Sequence, residues 1–246
     1  MQSYNERIAK FREIVKNSPS TVFFGGAGVS TESGIPDFRS KNGLYNQHDV
    51  NFESYEPEYL LSHKCLCEEP KVFYEFYRQK LNTENIEPND CHKILAKMES
   101  KGLLNCVITQ NIDGLHQKAG SKNVLEIHGT TKSVYCQKCG KHYPYNYIFE
   151  TDGIPTCECG GLIRPDVTLY GENLPKAFED AYTEVVKSAC LIVGGTSLTV
   201  FPAANLLSYF QGSHLVIINN QVTPYDEYAD LVFHENLGRV FRDLDI

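Results

Sequence analysis

A chain of 246 residues has room for one large core, or for a large core and a smaller one, and 41% hydrophobic with 22% charged residues is ordinary globular usage. A formal net charge of −8 argues against non-specific nucleic-acid binding and suits basic peptide partners. No apolar run approaches the roughly 18 residues that a membrane span needs, and no apolar signal core opens the chain, so a soluble, cytoplasmic protein with no membrane partner is expected.

In chain order, residues 3–17 place Ile8, Phe11, Ile14 and Val15 at helical spacing behind a Ser3 cap. The apolar run from Val22 then collapses into Gly25, Gly26 and Gly28, as a buried strand hands over to a tight turn. Two readings stand here. The glycines, by permitting positive φ and close backbone approach, form a phosphate cradle reinforced by the dipole of a following helix, or they only punctuate a strand exit. Against the first, Thr31 stands where the dinucleotide fingerprint has its third glycine, and no acidic residue ends a second strand roughly 20 residues on. The polar and aromatic cluster Gly34-Ile35-Pro36-Asp37-Phe38-Arg39 follows at once, and a simple turn has no need of it.

From 42 to 89 the pattern is helical, punctuated by Pro57, Pro70 and Pro88, with Val72, Phe73, Phe76 and Tyr77 as a packing face; it reads as an inserted helical module. A helix from Asp90 to Gly102 feeds a strand over Leu103–Thr109. The rhythm continues with a strand at Val124–Ile127, a helix at Ala177–Lys187 and a strand at Cys190–Val193. A helix at Pro202–Phe210, a strand at Leu215–Ile218 and a helix at Leu237–Leu244 complete it. Such alternation predicts an α/β fold, a Rossmann-like parallel sheet with helices on both faces. Ligands bind at the carboxyl ends of such strands. The Gly26 loop, Gln110–Asp113, His128, Thr196–Ser197 and Asn219 each follow one strand, so five strand ends converge on one crevice.

Residues 133–164 break the rhythm. Cys136 and Cys139, two residues apart, are separated by 17 residues from Cys157 and Cys159, which flank a single Glu. Two paired thiolates suit tetrahedral Zn²⁺ in a closed, structural ribbon; the competing reading is a redox pair, for which the second pair is superfluous. Nine cysteines, an odd number in a reducing compartment, make metal or free thiol the question rather than disulfide. Cys65, Cys67, Cys91, Cys106 and Cys190 lie in helical or strand runs and are read as buried and inert. Among eight histidines, His48, His63, His92, His116, His142, His214 and His234 are read as structural. His128, at a strand end before Gly129, stands apart.

Gly26-Ala27-Gly28-Val29-Ser30, Gly34-Ile35-Pro36-Asp37-Phe38-Arg39, Thr109-Gln110-Asn111-Ile112-Asp113, His128-Gly129 and Gly195-Thr196-Ser197-Leu198 resemble, in order and spacing, the motif set of the sirtuins, NAD-dependent protein deacylases whose bacterial type are deacetylases. The resemblance implies an NAD-binding Rossmann-like domain made of residues 1–41, 90–132 and 165–246. A smaller domain would hold the helical module, 42–89, and the zinc ribbon, 133–164. Ile35, Asp37 and Asp113, with Ile112 beside them, would hold nicotinamide while Phe38 shields the reactive face. Arg39, Gln110 and Asn111 would position ribose and phosphates, Ala27 and Thr31 the pyrophosphate, and Thr196, Ser197 and Asn219 the adenosine half.

Nicotinamide is already a cationic leaving group, so its departure from NAD needs a held conformation and an aligned acyl oxygen rather than a metal. Asn111 would share in catalysis, and His128, matching the family's catalytic position, would take the proton of a ribose hydroxyl. Val167, Leu169, Tyr170 and Gly171 would seat an acetylated-lysine peptide as an added strand. Sirtuins that prefer succinyl or malonyl groups carry a Tyr and an Arg after the phosphate stretch, and no Arg occurs here between Arg39 and Arg78, so short neutral acyl groups are expected. Three other readings share parts of the pattern: mono-ADP-ribosyl transfer at the same NAD site, a non-catalytic NAD sensor, and a nucleic-acid-binding zinc ribbon, which the net charge disfavours.

Overall fold

The computed structural model describes residues 2–38, 40, 43–44 and 52–246. The first helix, α1 (Tyr4–Asn17), opens on a capping box: Ser3 Oγ accepts from the Glu6 N–H while the Glu6 carboxylate accepts from the Ser3 N–H at 2.7 Å. β1 (Thr21–Gly25) is buried along its whole length. Two single 3₁₀ turns, Ala27–Val29 and Thr31–Ser33, follow it in place of the α-helix whose dipole was expected to reinforce the glycine loop.

Three short helices come next: α2 (Pro57–Leu60), α3 (His63–Glu68) and α4 (Pro70–Lys80). Pro57 and Pro70 each occupy a first-turn position, where the missing N–H has no intrahelical partner to lose. α5 (Asp90–Ser100), capped by Asn89, leads into β2 (Cys106–Thr109), and α6 (Leu115–Lys118) into β3 (Val124–Glu126). β4 (Gly129–Cys136), β5 (His142–Tyr143), α7 (Tyr147–Glu150) and β6 (Ile163–Val167) form a separate antiparallel unit. The chain returns through α8 (Lys176–Lys187), β7 (Cys190–Gly194), β8 (His214–Ile218), β9 (Leu231–Phe233) and α9 (Leu237–Leu244).

β1, β2, β3, β7, β8 and β9 make one parallel sheet in the order β3-β2-β1-β7-β8-β9. The period-2 alternation of the strands divides the large core in two. Phe23, Val107, Ile192 and Val216 face α1, α5 and α9, where Phe11, Val15, Leu95, Met98 and Phe241 are buried. Phe24, Ile108, Val193 and Ile217 face Ala181 and Val185 of α8 and the 3₁₀ helix Ala203–Tyr209. That segment was expected to be α-helical; its tighter winding lines Ala203 with Leu206 and Ala204 with Leu207, and all four are buried. The β2 strand begins at Cys106 rather than Leu103, because Asn105 turns its side chain to accept from the Thr21 N–H at 2.8 Å. β9, too short to stand out in the sequence, closes the sheet beside β8.

A second core joins the small helices to the three-stranded sheet, ordered β5-β4-β6. Phe73, Tyr74, Phe76 and Tyr77 of α4 pack with Val134, Ile148 and Ile163, and the Tyr74 hydroxyl donates to the Ile163 carbonyl at 2.8 Å. Among the described residues no helix is long and apolar enough to cross a membrane.

Candidate active site

The sheet reverses its winding between β1 and β7, the place where open α/β sheets form a ligand crevice. There the loops after the two strands interlock. Gly26 N–H donates to the Gly194 carbonyl at 3.1 Å and Gly28 N–H to that of Gly195 at 2.8 Å. A Cβ on Gly28 would lie 2.8 Å from Gly195 Cα, and one on Gly26 would lie 2.7 Å from Thr196 Cβ. Gly26 has φ −124, and neither it nor Gly28 adopts the left-handed region, so these glycines serve close backbone approach and not positive φ. Gly34 (φ 92) supplies the one positive φ of this stretch.

β2 ends in Thr109, and the next residues fan into the crevice. Gln110 Nε2 donates to Thr196 Oγ1 at 3.2 Å, tying the ends of β2 and β7 together. Asn111 Nδ2 donates to Ser30 Oγ at 3.0 Å, and that hydroxyl donates to Asp113 Oδ2 at 2.7 Å. Asp113, 6% exposed, uses its other oxygen to accept the Leu115 N–H at 2.9 Å, fixing the start of α6. Ile112 presents its carbonyl to both the N–H and the hydroxyl of Thr131, each at 2.9 Å, so the loop is anchored to β4. Ser30, the hub of this network, was quoted in the sequence only as the end of a glycine motif.

His128 follows β3, half-buried. Its Nδ1 donates to the Gln110 carbonyl at 3.0 Å, since a carbonyl can only accept, and Nε2 is thereby left as the basic nitrogen. Burial pushes the imidazole pKa below its usual 6.5, and the Gln110 hydrogen bond opposes this in part. The ring is thus poised to accept a proton at neutral pH.

Thr31 is exposed and returns its hydroxyl to the Gly28 carbonyl at 2.9 Å, beside half-buried Ala27. Ile35 N–H donates to the Ser30 carbonyl at 3.2 Å, and Asp37 Oδ1 accepts the Ser40 N–H at 2.8 Å. Phe38 packs against the second core. Arg39 lies outside the described residues. Thr196 is buried, exposed Ser197 shares a hydrogen bond with Thr199 at 2.8 Å, and Asn219 Nδ2 donates to the Gln221 carbonyl at 2.8 Å. Hydroxyls and carboxamides dominate the ends of β7 and β8, a donor set that suits a polyhydroxylated, anionic nucleotide.

The segment predicted to seat the peptide leaves β6 beside His128, whose carbonyl accepts the Thr168 N–H at 2.9 Å. Val167 and Leu169 are buried, whereas Tyr170 and Gly171 are exposed. Tyr170 pairs with the lead-in to α3: its N–H donates to the Leu61 carbonyl and its carbonyl accepts from the His63 N–H, both at 3.0 Å. A nearly buried ion pair braces this segment, Arg164 Nη2 donating to Glu172 Oε2 at 3.0 Å and to the Val167 carbonyl at 2.6 Å. Despite its burial, Glu172 has its pKa held at about 2 by the Arg164, Leu169 and His63 contacts. No local sequence pattern marks this brace, because Arg164 and Glu172 are brought together only by the turn after β6.

Away from the crevice, the four sulfurs of Cys136, Cys139, Cys157 and Cys159 lie within 4.8 Å of one another. The Cys136–Cys159 and Cys139–Cys157 separations are 3.5 and 3.7 Å. Tetrahedral Zn²⁺ with bonds near ~2.3 Å asks for sulfurs about 3.8 Å apart, so the residues fit the ion. Each knuckle closes on a left-handed glycine, Gly140 (φ 71) and Gly160 (φ 77), and a Cβ on Gly161 would strike Cys136 Sγ at 2.7 Å. Of the remaining thiols, Cys65, Cys91, Cys106 and Cys190 are buried. Cys67 is exposed, contrary to the sequence reading, because it falls on the solvent side of α3.

The Sir2 family model matches residues 26–202. An NAD-dependent protein deacetylase of Cutibacterium acnes is 52% identical over 227 residues, covering 92% of each chain, and one of Clostridium perfringens is 50% identical over 96% of this chain and 97% of its own. A solved Sir2 protein, a His-to-Ala variant with a deacetylated p53 peptide and 3′-O-acetyl-ADP-ribose, superposes with a TM-score of 0.88 at 37% identity, covering 96% of both chains. Matched by the family model from the glycine loop to the end of the β7 loop, and half identical to curated relatives over nearly its whole length, the chain belongs to the Sir2 family.

Proposed function

We infer that the protein is an NAD-dependent protein lysine deacetylase, which moves the acyl group of acyl-lysine to ADP-ribose and releases nicotinamide. The relatives' named activity and the peptide and acetyl-ADP-ribose held by the solved neighbour support this. The single observation that carries it in this chain is His128, its Nδ1 committed to the Gln110 carbonyl and its Nε2 left basic between the Ser30–Asn111–Asp113 network and the Thr168–Gly171 segment.

NAD supplies an electrophilic ribose carbon and a leaving group that needs no protonation. The chain then has three tasks. Asp113, Ile35 and Asp37 hold the carboxamide end, Phe38 shields the reactive face, and Arg39 helps to position ribose and phosphates. Gln110, Asn111, Ala27, Thr31, Thr196, Ser197 and Asn219 fix the rest of the nucleotide. His128 Nε2 removes the ribose hydroxyl proton that allows the acyl group to transfer. The peptide lies along Val167–Gly171, which reads main chain and tolerates varied sequences. Zn²⁺ in the four-cysteine site fastens the ribbon and, with no open coordination position, takes no part in the reaction. Residues 1–41, 90–132 and 165–246 act as the nucleotide domain, with 42–89 and 133–164 as the smaller one. Nine unpaired cysteines, four of them gathered for metal, suit a reducing cytoplasm.

Mass spectrometry of the protein mixed with NAD and an acetyl-lysine peptide tests the reaction. Free nicotinamide, deacetylated peptide and acetyl-ADP-ribose are expected together. A peptide that gains ADP-ribose instead would replace this reading with ADP-ribosyl transfer.

A further inference from the structure

Cys67 has company on the outer face of α3. Its Sγ lies 3.3 Å from Nε2 of His63, one turn back along the helix. The other ring nitrogen, Nδ1, is 2.9 Å from Glu172 Oε1. Glu172 cannot wander, because Oε2 accepts from the Leu169 N–H at 2.9 Å and from Arg164 at 3.0 Å, and the Arg164 side chain is 4% exposed. A fixed carboxylate makes Nδ1 the donor and turns Nε2 toward the thiol as an acceptor. Nucleophile, base and orienting carboxylate in that order is the arrangement that activates a cysteine, since proton transfer leaves an imidazolium beside the thiolate. Cys67 has no part in the acyl-transfer site, and His63 meets the peptide segment only through its backbone N–H and through Glu172.

We propose that Cys67 is a reactive thiol that forms mixed disulfides with low-molecular-weight disulfides, with His63 as its base. The Cys67 proton passes to His63 Nε2, and the thiolate attacks one sulfur of the disulfide RSSR. The bond from Cys67 to that sulfur forms as the S–S bond of the reagent breaks. The departing RS⁻ takes the proton, so Cys67 is oxidised and half of the reagent is reduced to RSH. Competition within the molecule is slight. Burial raises the thiol pKa to about 11 at Cys65 and about 12 at Cys106 and Cys190. Cys91 is buried as well, and the remaining four cysteines are committed to the ribbon.

The test is the full, zinc-loaded chain treated at neutral pH with excess 5,5′-dithiobis(2-nitrobenzoate), the released thiolate being timed and the modified residue mapped by peptide mass. One thiol per chain is expected in a fast phase, mapped to Cys67, about tenfold faster than free cysteine, which is only a few per cent thiolate at pH 7. Cys67→Ser removes that phase and His63→Gln slows it about tenfold. Both positions are exposed, and an unchanged thermal midpoint and zinc content in both variants check that they fold. A Cys67 that reacts no faster than free cysteine, or at a rate that His63→Gln leaves unchanged, overturns the proposal.

Discussion

At the scale of single residues, the proposed reaction assigns His128 and Asp113 separate steps. Departure of nicotinamide depends on positioning, whereas transfer of the acyl group needs a base. His128→Ala is therefore expected to keep some acyl-peptide-dependent nicotinamide exchange while deacetylation falls by about 10²- to 10⁴-fold, the usual effect of losing a general base. Measuring both activities decides the matter, and near wild-type deacetylation by that variant removes His128 from the role. Asp113→Asn acts earlier. Asp113 accepts from the Ser30 hydroxyl at one oxygen and from the Leu115 N–H at the other, so an amide there must turn its NH₂ toward one of these donors and loosens the loop. Exchange itself is expected to drop with deacetylation; preserved exchange would show that the network does not hold nicotinamide. The pH profile follows from the burial that lowers the His128 pKa. With the neutral ring as the proposed base, kcat/KM should be flat above about pH 6.5 and fall only as acidity passes the lowered pKa. An acid limb centred above 6.5 contradicts that. His128 was singled out in the sequence because it follows a strand end, precedes Gly129 and matches the catalytic position of the sirtuin motif set, whereas the partners that bind these residues together, Ser30 among them, are set by a sheet pairing that no local pattern reveals.

At the scale of elements, alternation of apolar strands with amphipathic helices made the parallel sheet and its five loaded strand ends readable. What escaped were features decided by packing: the 3₁₀ winding of Ala203–Tyr209, the short edge strand Leu231–Phe233, and the interlock of the two glycine loops. That interlock gives a direct test. A methyl on Gly28 would press on Gly195 Cα at 2.8 Å and its carbonyl oxygen at 2.9 Å, both backbone atoms with little freedom to yield. Gly28→Ala should cost about 1–3 kcal/mol, the usual range for overpacking, and raise the KM for NAD more than that for peptide. Equal changes in the two constants would separate the loop from the nucleotide. The ribbon behaves differently. Cys136 and Cys157 sit in the second core beside Val134 and Ile163, so removing Zn²⁺ should loosen the ribbon and the helices packed on it rather than delete a reactive group. Chelation should therefore lower the thermal midpoint along with activity, and re-addition of zinc should restore both. Full activity in protein shown by elemental analysis to hold well below one zinc per chain would contradict a structural ion.

The whole molecule carries a liability to acid that the sequence reading filed under structural histidines. His92 on α5 and His116 on α6 face each other with ring centroids 4.6 Å apart, at 0% and 1% exposure. Neither nitrogen of His116, nor Nε2 of His92, has a hydrogen-bond partner among the described residues, so the pair is held between α5 and α6 in the neutral form. Burial lowers the His92 pKa to about 4, partly opposed by Asp113, and burial with the nearby His92 lowers that of His116 to about 3. Both folded-state values lie below the unfolded value near 6.5. Folding therefore excludes protons that the unfolded chain would bind; the stabilisation is fully present above about pH 6.5 and is lost progressively as pH falls toward the folded-state values. The consequence reaches the active site, because α6 begins at the Leu115 N–H held by Asp113, and a charged His116 would push against that turn. Urea unfolding between about pH 7 and about pH 4.5 should show stability falling with acidity, and His116→Leu should flatten the slope, since a residue that binds no proton in either state contributes none. A slope unchanged in His116→Leu would rule the pair out as the acid trigger. Deacetylation by the same variant should keep the acid limb set by His128, so the pH dependence of activity and that of stability can be assigned to different histidines.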